Sequence, residues 1–264
     1  MHYLKGSSMT RKKINRRLAL KWSAGSLGAL GVSGLITNCK LQNGDSALNG
    51  DPEACQKTSS NVEGPFYPES PEDRPDVDLD LVTVNGAPQK ALGREVLIEV
   101  TVELDCQKAE GLLVEFWQAC RDGVYDHPND PQRTQHPDKF DPFFQYYGKA
   151  FTDRDGKVKL RTIQPGAYPA NSSWIRASHI HFKVHQPNGK VLTSQMFFPA
   201  SDAEIFDAEM LEDYPEYLKL WRKEGAAALG RKIQEDDRLF QGALTFEEVE
   251  GVGPVPKFRL VVRV

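Results

Sequence analysis

The chain has 264 residues, of which 39% are hydrophobic and 27% charged, proportions that are ordinary for a globular protein with one large β domain or two small domains. Its formal charge of −4 hides an asymmetry: residues 1–38 carry seven basic and no acidic side chains, whereas the remainder carries 26 basic and 37 acidic ones. An acidic body argues against nucleic acid as a partner, since phosphate binding needs clustered Lys and Arg.

The basic N-terminal region is followed by an uncharged run from Trp22 to Cys39 that is rich in Gly, Ser and Leu. Together these features predict an export signal at residues 1–39. The run is at the lower edge of membrane-spanning length and only mildly apolar, so a permanent transmembrane helix is the weaker interpretation. The segment 15–21, NRRLALK, resembles a twin-arginine signal, whose pathway exports folded proteins. Met9 is an alternative start of the chain.

Residues 35–39, LITNC, also resemble a lipoprotein cleavage site with Cys39 as the lipidated residue. We therefore expect a periplasmic or outer-surface protein, with a membrane tether through Cys39 as one option. Residues 40–60 are polar, turn-rich and without periodicity, which predicts a flexible linker to a domain at 61–264. At the start of that domain, Val62 to Pro75 is proline-rich and extended, as in segments that wrap a domain.

Strand patterns begin at Arg94, where Val96, Ile98, Val100 and Val102 alternate with polar residues. The further predicted strands are Leu112 to Trp117, Lys157 to Ile163, His179 to His185, Val191 to Phe198 and Phe258 to Val264. A helical pattern at 202–236 predicts one or two helices packed on the strands. Many strands joined by short turns predict a mainly β fold, an antiparallel β-sandwich with a few peripheral helices.

The four cysteines, Cys39, Cys55, Cys106 and Cys120, form no C-x-x-C pair, which argues against a zinc ribbon or a thioredoxin-like site. If Cys39 is lipidated, export permits one disulfide among the other three. Cys106 and Cys120 flank a predicted strand and could instead be ordinary buried thiols. The partners stay open.

The predicted strand that contains His179-Ile180-His181 projects both imidazoles from one face, because i and i+2 share a face of a strand. Neutral imidazole is a good ligand for zinc, copper or iron. Taken alone, H-x-H fits two histidines on a solvated strand face equally well. His185 continues the same face but lies too far along the strand for the same metal, and is predicted to be a surface histidine.

Three further motifs accompany the histidine pair. Segment 117–125, WQACRDGVY, is an apolar strand that runs into a turn and ends on Tyr125; segment 165–169, PGAYP, carries Tyr168; and Arg176 stands three residues before His179. This ordered set resembles the intradiol ring-cleavage dioxygenases, the non-haem Fe(III) enzymes that open catechols. Segment 63–68, EGPFYP, is similar to the start of that family's catalytic domain. The resemblance covers about 62–200 well and the C-terminal part loosely.

The resemblance implies a β-sandwich with a non-haem Fe(III) ion held by two tyrosines and two histidines, here Tyr125, Tyr168, His179 and His181. Tyr168 would leave the metal and take a proton as a catechol binds. Arg176 would stabilise negative charge on the substrate, and Gln195 would line the same pocket. The implied reaction inserts both atoms of O2 into catechol, protocatechuate or a related aromatic, giving a cis,cis-muconate-type diacid in aromatic catabolism.

The chain departs from the family where Ile175 and Ser178 replace the Trp and Pro often found in W-R-P-x-H, and only eleven residues separate Tyr168 from His179. The loop that shapes the substrate pocket is therefore altered, and the natural catechol stays open. Lack of the helical dimerisation region of catechol 1,2-dioxygenases makes the chain more similar to the protocatechuate type or to single-chain exported relatives. The oligomeric state stays open, with a homo-oligomer as one option.

Two alternatives remain at this point. One is a zinc or copper site built from His179, His181 and a third histidine such as His127 or His136. Such a site would be indifferent to Tyr125→Phe. The other is an exported β-sandwich that binds aromatic ligands or cell-surface material without turnover.

Overall fold

The computed structural model describes residues 55–74, 76–199, 211–240, 244–249 and 254–264, all of which belong to a compact unit that begins at Asn49. The predicted export signal at 1–39, the lipidation of Cys39 and residues 40–54 of the predicted linker lie outside this range and stay predictions. Among the described helices, none combines the length and the hydropathy needed to span a bilayer.

The described part of the chain contains twelve strands and three α-helices, with short 3-10 turns at Pro71–Asp73 and Pro137–Lys139. The strands are β1 (Glu95–Leu104), β2 (Gln107–Lys108), β3 (Leu113–Trp117), β4 (Tyr147–Phe151), β5 (Lys157–Ile163), β6 (Tyr168–Asn171), β7 (Trp174–Arg176), β8 (His179–His185), β9 (Val191–Phe197), β10 (Leu244–Thr245), β11 (Glu247–Val249) and β12 (Lys257–Arg263). The helices are α1 (Pro131–Gln135), α2 (Pro215–Glu224) and α3 (Ala226–Asp236).

Two five-stranded sheets form the body of the domain. The first has the order β11-β12-β1-β2, with β5 also paired to β1, and the second has the order β10-β9-β8-β3-β4. The prediction of a mainly β sandwich with a few peripheral helices is confirmed. The sheets are mixed, however, because β12 runs parallel to β1 and β10 runs parallel to β9. Hydrophobic alternation has a period of two in either orientation, so the sequence pattern could not reveal these parallel pairs.

The hydrophobic core lies between the two sheets and is built from alternate residues of each strand. In β1, the buried residues are Val96, Ile98, Val100 and Val102, as the alternation predicts. From the facing sheet, β8 contributes Ile180, Phe182 and Val184 to the same core. Side chains alternate along a strand, so the odd-numbered residues of β8 project from the outer face of the second sheet.

All six predicted strands are present with bounds within one or two residues, and the unpredicted ones are short or irregular. Strand β4 contains Gly148, which lowers strand propensity. Strand β6 contains Pro169, and its pairing with β7 shifts register before Asn171. Of the helical region predicted at 202–236, residues 211–236 are described, and Gly225 with φ +86° separates α2 from α3.

Residues 62–74 and 76–77, here called the covering segment, lie over the outer face of the second sheet, where Phe66, Tyr67 and Val77 pack against the cluster that contains Trp117 and Tyr125. Pro75, the last residue of the predicted wrapping segment, lies outside the described residues.

Residues just before the covering segment are hydrogen-bonded to the domain. Thr58, which falls within the predicted linker, donates its N–H to the Arg263 carbonyl at 2.9 Å, and Asn61, the first residue of the predicted domain, donates its N–H to the Thr193 carbonyl at 2.9 Å. A disulfide joins Cys55 to Cys106, with 5.8 Å between their Cα atoms. Cys120 is a buried free thiol. The pairing that the sequence left open is thereby assigned.

A buried carboxylate fastens the covering segment to this face. Glu115 is 5% exposed and accepts hydrogen bonds from the Tyr67 hydroxyl at 2.6 Å and the Tyr147 hydroxyl at 2.9 Å. His185 Nε2 forms a hydrogen bond with the same carboxylate, so this predicted surface histidine is half-buried and has a partner. The Lys183 ammonium lies 3.3 Å from the centre of the Tyr67 ring, a cation–π contact. Burial raises the pKa of Glu115, but the hydrogen bonds from Tyr67, His185 and Tyr147 outweigh it and the pKa is lowered.

Removing the disulfide should destabilise the domain. The bond closes a loop between cysteines separated by 51 residues, for which chain entropy predicts a stabilisation of at most about 4 kcal/mol. The Cys55→Ser/Cys106→Ser protein should therefore lose up to that free energy of unfolding in urea titrations. Dithiothreitol should lower the free energy of unfolding of the wild type to a similar degree and leave that of the double variant unchanged. A wild type indifferent to reductant would contradict the pairing.

Glu115→Gln should reduce stability in a pH-dependent way. The lowered pKa means that the unfolded chain binds the proton more readily, so the stabilising contribution is present above the unfolded pKa of about 4.3 and is lost as the pH falls through the folded pKa. We expect a difference of about 2 kcal/mol between wild type and variant near pH 7 that shrinks below about pH 4. Urea unfolding across this range measures it. The exposed Glu248→Gln control should show no such trend, and a constant difference would contradict the role of the charge.

Candidate metal centre

Strand β8 carries His179 and His181 on the outer face of the second sheet. Both imidazoles are 2% exposed, and their Nε2 atoms lie 3.0 Å apart. Burial and the nearby Arg176 cation lower the pKa of each imidazole well below its usual value. The two rings are therefore neutral at neutral pH, the state in which imidazole binds metals.

Each imidazole has a distinct support. His179 Nδ1 lies 2.5 Å from the carbonyl oxygen of Ala177. A carbonyl can only accept, so Nδ1 carries the proton and the lone pair of Nε2 points into the site. His181 stacks on Trp117, with ring centres 4.8 Å apart and planes inclined by 13°. Trp117, the last residue of β3, thus fixes the orientation of one candidate ligand.

Tyr125 and Tyr168 meet the histidines at the same point. The Tyr125 hydroxyl lies 3.5 Å from His179 Nε2, and the ring centres of Tyr168 and His179 are 5.7 Å apart. The two phenol rings contact each other edge to face at 5.4 Å. Burial raises the pKa of both phenols, well above the usual value in the case of Tyr125. They become phenolates only where a cation stabilises that form.

Two glycines allow the tyrosine turns to approach each other. Gly123 has φ +78°, and a Cβ there would lie 2.6 Å from the carbonyl oxygen of Ala167. A Cβ on Gly166 would collide with the carbonyl oxygen of Arg121 and lie 2.7 Å from the Gly123 nitrogen. The Gly166 N–H donates to the Cys120 carbonyl at 3.0 Å. Gly123, in the Tyr125 motif, therefore leaves room for the turn of the Tyr168 motif, and Gly166, in the Tyr168 motif, leaves room for the turn of the Tyr125 motif.

Asp130 fixes the position of Tyr125 and was not identified from the sequence. Its carboxylate accepts the Tyr125 N–H at 2.6 Å with one oxygen, and with the other it accepts the Gln132 N–H at 2.9 Å as the N-cap of α1. An acidic residue before a proline-initiated helix is a capping signal. The signal was therefore present in the sequence, although its link to Tyr125 was not.

Among the described residues, no third histidine joins the pair. His127 Nδ1 accepts the Asn129 N–H at 3.1 Å, and its ring lies 5.8 Å from Phe66. His136 caps the C-terminus of α1. Across the described residues, no group of three or more His, Cys, Asp or Glu side chains is arranged to hold a metal. The donors that accompany the histidine pair are the two tyrosines.

Arg176 and Gln195 border the same site and are joined to each other. Arg176 is 4% exposed, and its Nη2 donates to the Gln195 side-chain oxygen at 2.5 Å. Gln195 in turn donates to the Val62 carbonyl at 2.8 Å. Burial would lower the pKa of Arg176, but Tyr168 and Asp237 raise it above its usual value. All six predicted site residues are thus brought together, and Asp237 is a neighbour that the sequence did not indicate.

The donor set fits a metal ion that accepts imidazole nitrogen and anionic oxygen. Two imidazole nitrogens bonded at about 2.1 Å to one ion would be about 3 Å apart at a right angle, and the two Nε2 atoms are 3.0 Å apart. Two phenols complete the set with oxygen donors that suit a hard cation such as Fe(III). His179, His181, Tyr125 and Tyr168 could hold such an ion.

A family model described as a dioxygenase matches residues 62–212, more than half of the chain. The chain belongs to the intradiol ring-cleavage dioxygenase family. The matched range includes all six predicted site residues, whereas Asp237 lies beyond its end. Members of this family generally use non-haem Fe(III).

Sequence relatives carry the names of several catechol-cleaving enzymes. A protocatechuate 3,4-dioxygenase beta chain from Burkholderia cepacia is 36% identical over 128 residues, covering 47% of this chain and 51% of the relative. A chlorocatechol 1,2-dioxygenase from Cupriavidus pinatubonensis is 30% identical over 156 residues, covering 53% and 54% respectively. This dioxygenase-family chain therefore spans about half the length of the curated relatives it matches.

Solved structures show the same fold. The dioxygenase domain of a dioxygenase carbohydrate-binding protein fusion from Streptomyces sp. SirexAA-E is 26% identical, with a TM-score of 0.51 over 79% of this chain and 98% of that one. An intradiol ring-cleavage dioxygenase from Tetranychus urticae has a TM-score of 0.51 at 19% identity, over 79% and 94%. The second likeness concerns the fold alone.

Gly166→Ala should separate the two tyrosine turns. The added methyl meets backbone atoms, which cannot move independently, so we expect a loss of about 1–3 kcal/mol in the free energy of unfolding and weaker iron binding. Urea titration and iron content after gel filtration measure the two effects. Gly189→Ala is the control, because a Cβ at that turn has no neighbour within 4 Å. It should cost stability through its φ of +80° without changing iron binding. Equal iron binding in both variants would contradict the packing role.

Proposed function

We propose that this protein is a non-haem Fe(III) intradiol dioxygenase. It would insert both atoms of O2 into a catechol-type aromatic, opening the ring between the two hydroxyl-bearing carbons to give a cis,cis-muconate-type diacid. The observation that carries the proposal is the convergence of Tyr125, Tyr168, His179 and His181 in one buried site of a chain that belongs to this family.

These four side chains would hold the iron. When bound, ferric iron would make the aromatic ring reactive toward O2 by drawing electron density from the catechol oxygens. The histidines would remain neutral ligands, since burial and Arg176 keep their pKa low. Stacking on Trp117 and the hydrogen bond to the Ala177 carbonyl would keep both Nε2 atoms directed at one point.

Tyr168 would take a proton from the incoming catechol. Burial raises the pKa of its hydroxyl, partly offset by the Arg176 cation. A free phenolate at this position would therefore be a strong base, and its Oη would accept a catechol hydroxyl proton as substrate binds. Tyr125 is held by the hydrogen bond from its N–H to Asp130, and its ring packs on Phe66 with ring centres 4.9 Å apart. It would stay in place.

Arg176 would stabilise the negative charge that develops on the substrate oxygens. A buried guanidinium acts with little solvent screening and needs no reorganisation when its bonds hold it in advance. Gln195 holds one end of the group by the bond to Nη2. In this role Gln195 positions Arg176 and links it, through Val62, to the covering segment.

The substrates to test first are catechol and protocatechuate, with O2 as co-substrate. The sequence relatives are named for protocatechuate, catechol and chlorocatechol, and the loop between Tyr168 and His179 in this chain departs from the family pattern. We also propose that the protein is exported to the periplasm or outer surface, with a lipid tether at Cys39 as one option, on the basis of residues 1–39 alone.

The visible spectrum of iron-loaded protein tests the ligand set. A broad tyrosinate-to-iron(III) band should appear and shift to longer wavelength when catechol or protocatechuate is added under nitrogen. Admitting air should consume O2 and yield the ring-opened diacid. Tyr125→Phe and Tyr168→Phe should each weaken the band and lower kcat/KM at least 100-fold, a loss of about 2.7 kcal/mol of transition-state stabilisation.

Tyr147→Phe is the matched control, because this buried tyrosine binds Glu115 and lies outside the donor set. It should keep the band. A colourless protein with full iron occupancy would remove the tyrosines from the site and favour a zinc or copper protein. A band that shifts with catechol, but without O2 uptake, would indicate a binding protein without turnover.

A further inference from the structure

We infer that Asp237 is a positioning residue of the metal centre, orienting Arg176 directly and His179 through the Ala177 peptide. Because it concerns the same site, this role depends on the proposed function. Asp237 follows α3 and lies beyond residues 62–212, the range that matches the dioxygenase family. Part of the chain outside the family pattern would thus complete the surroundings of the site.

The carboxylate of Asp237 is buried, and both of its oxygens accept hydrogen bonds. The residue is 1% exposed. Its Oδ2 accepts the Arg176 Nε–H at 3.0 Å and the Ala177 N–H at 2.8 Å, while Oδ1 accepts the Leu239 N–H at 3.0 Å. Three donors define the plane of the carboxylate. Two of them come from the end of β7 and the residue after it, Arg176 and Ala177, which lead into the histidine pair.

The Ala177 residue passes the contact on to the metal centre. Its N–H is bound by Asp237, and its carbonyl accepts the Nδ1–H of His179 at 2.5 Å. A bond to Nδ1 sets the tautomer and rotation of an imidazole and so directs its Nε2 lone pair. Because Asp237 holds the N–H of Ala177, it restrains the carbonyl of the same residue, which accepts the bond from His179. Ala177 is therefore the single residue between Asp237 and a candidate ligand.

Asp237 also compensates the positive charge of Arg176. Arg176 is buried next to two phenols and two neutral imidazoles, and its ion pair among the described residues is with Asp237. An uncompensated buried guanidinium is strongly unfavourable. Asp237 binds Nε and Gln195 binds Nη2. Two bonds at different nitrogens fix the plane of the group, so that its charge is held at one place in the site.

Helix α3 is well packed against the domain and positions Asp237, the residue that follows it. Leu229 and Ile233 are buried in a cluster with Ile175 and Ala177 of the β7 region. The Gln234 side chain donates to the Phe198 carbonyl at 2.8 Å, and the Asp237 N–H donates to the Ile233 carbonyl at 2.9 Å. The helix therefore ends against the β7 region and the end of β9, and these contacts fix the position of Asp237, the residue that follows it.

The test compares Asp237→Asn with Asp236→Asn in the iron-loaded full chain. Asp236 is the neighbouring carboxylate, and it binds Lys232 and Tyr217 on the surface. Asp237→Asn should lower kcat about 10–100-fold with a smaller change in KM, and weaken iron binding, because a supporting shell has been loosened. In metal-free protein it should shift or broaden the His179 Nδ1–H proton resonance. Asp236→Asn should match the wild type in all three.

Asp237→Glu covers the case in which Asp237→Asn does not fold. It keeps the buried charge opposite Arg176 but displaces the carboxylate by one methylene, so it should fold and still lose at least tenfold in kcat. Wild-type kcat and wild-type iron affinity in either folded variant would overturn the inference. If wild-type protein binds iron but cleaves no catechol, the proposed function fails, whereas iron affinity and the His179 resonance still decide the role of Asp237.

Discussion

Strand β8 must satisfy two environments at once, and the rest of the molecule is arranged around that constraint. Its even residues, Ile180, Phe182 and Val184, belong to the core between the sheets, while His179 and His181 face outward. The core face determines the register, because a slip of one residue would exchange the two sets. Burying the apolar face therefore also places two imidazoles side by side, and the geometry of the histidine pair follows from packing of the sandwich.

A sheet face with histidines would be solvated if nothing covered it. Three separate parts of the chain cover this face. The covering segment lies over it and is held by Glu115 through Tyr67. The two tyrosine turns close against each other. Helices α2 and α3 pack beside β7 and bring Asp237 to Arg176. Each cover contributes a different property: exclusion of water, oxygen donors, and a fixed charge.

The sequence was sufficient where a signal is local. Alternation placed six strands within one or two residues, and the resemblance of local motifs to a known family proposed Tyr125, Tyr168, His179 and His181 as a set. It was insufficient where partners are distant and have no spacing rule. Asp237 is 61 positions from Arg176, and an acidic residue after a helix has no pattern that marks it as buried. The pairing of Cys106 with Cys55 in the disulfide, and the parallel direction of β12 relative to β1, likewise depend on the tertiary arrangement alone.

The disulfide has a consequence for how the site can be reached. Cys55 precedes the covering segment and is bonded to Cys106 at the β1–β2 turn, so the segment cannot peel away from its N-terminal end while the bond is intact. It can only bulge between fixed points, which releases less conformational entropy than detachment would. In a reducing compartment the same end is held by hydrogen bonds at Thr58 and Asn61. The covalent part of this attachment thus exists only under oxidising conditions.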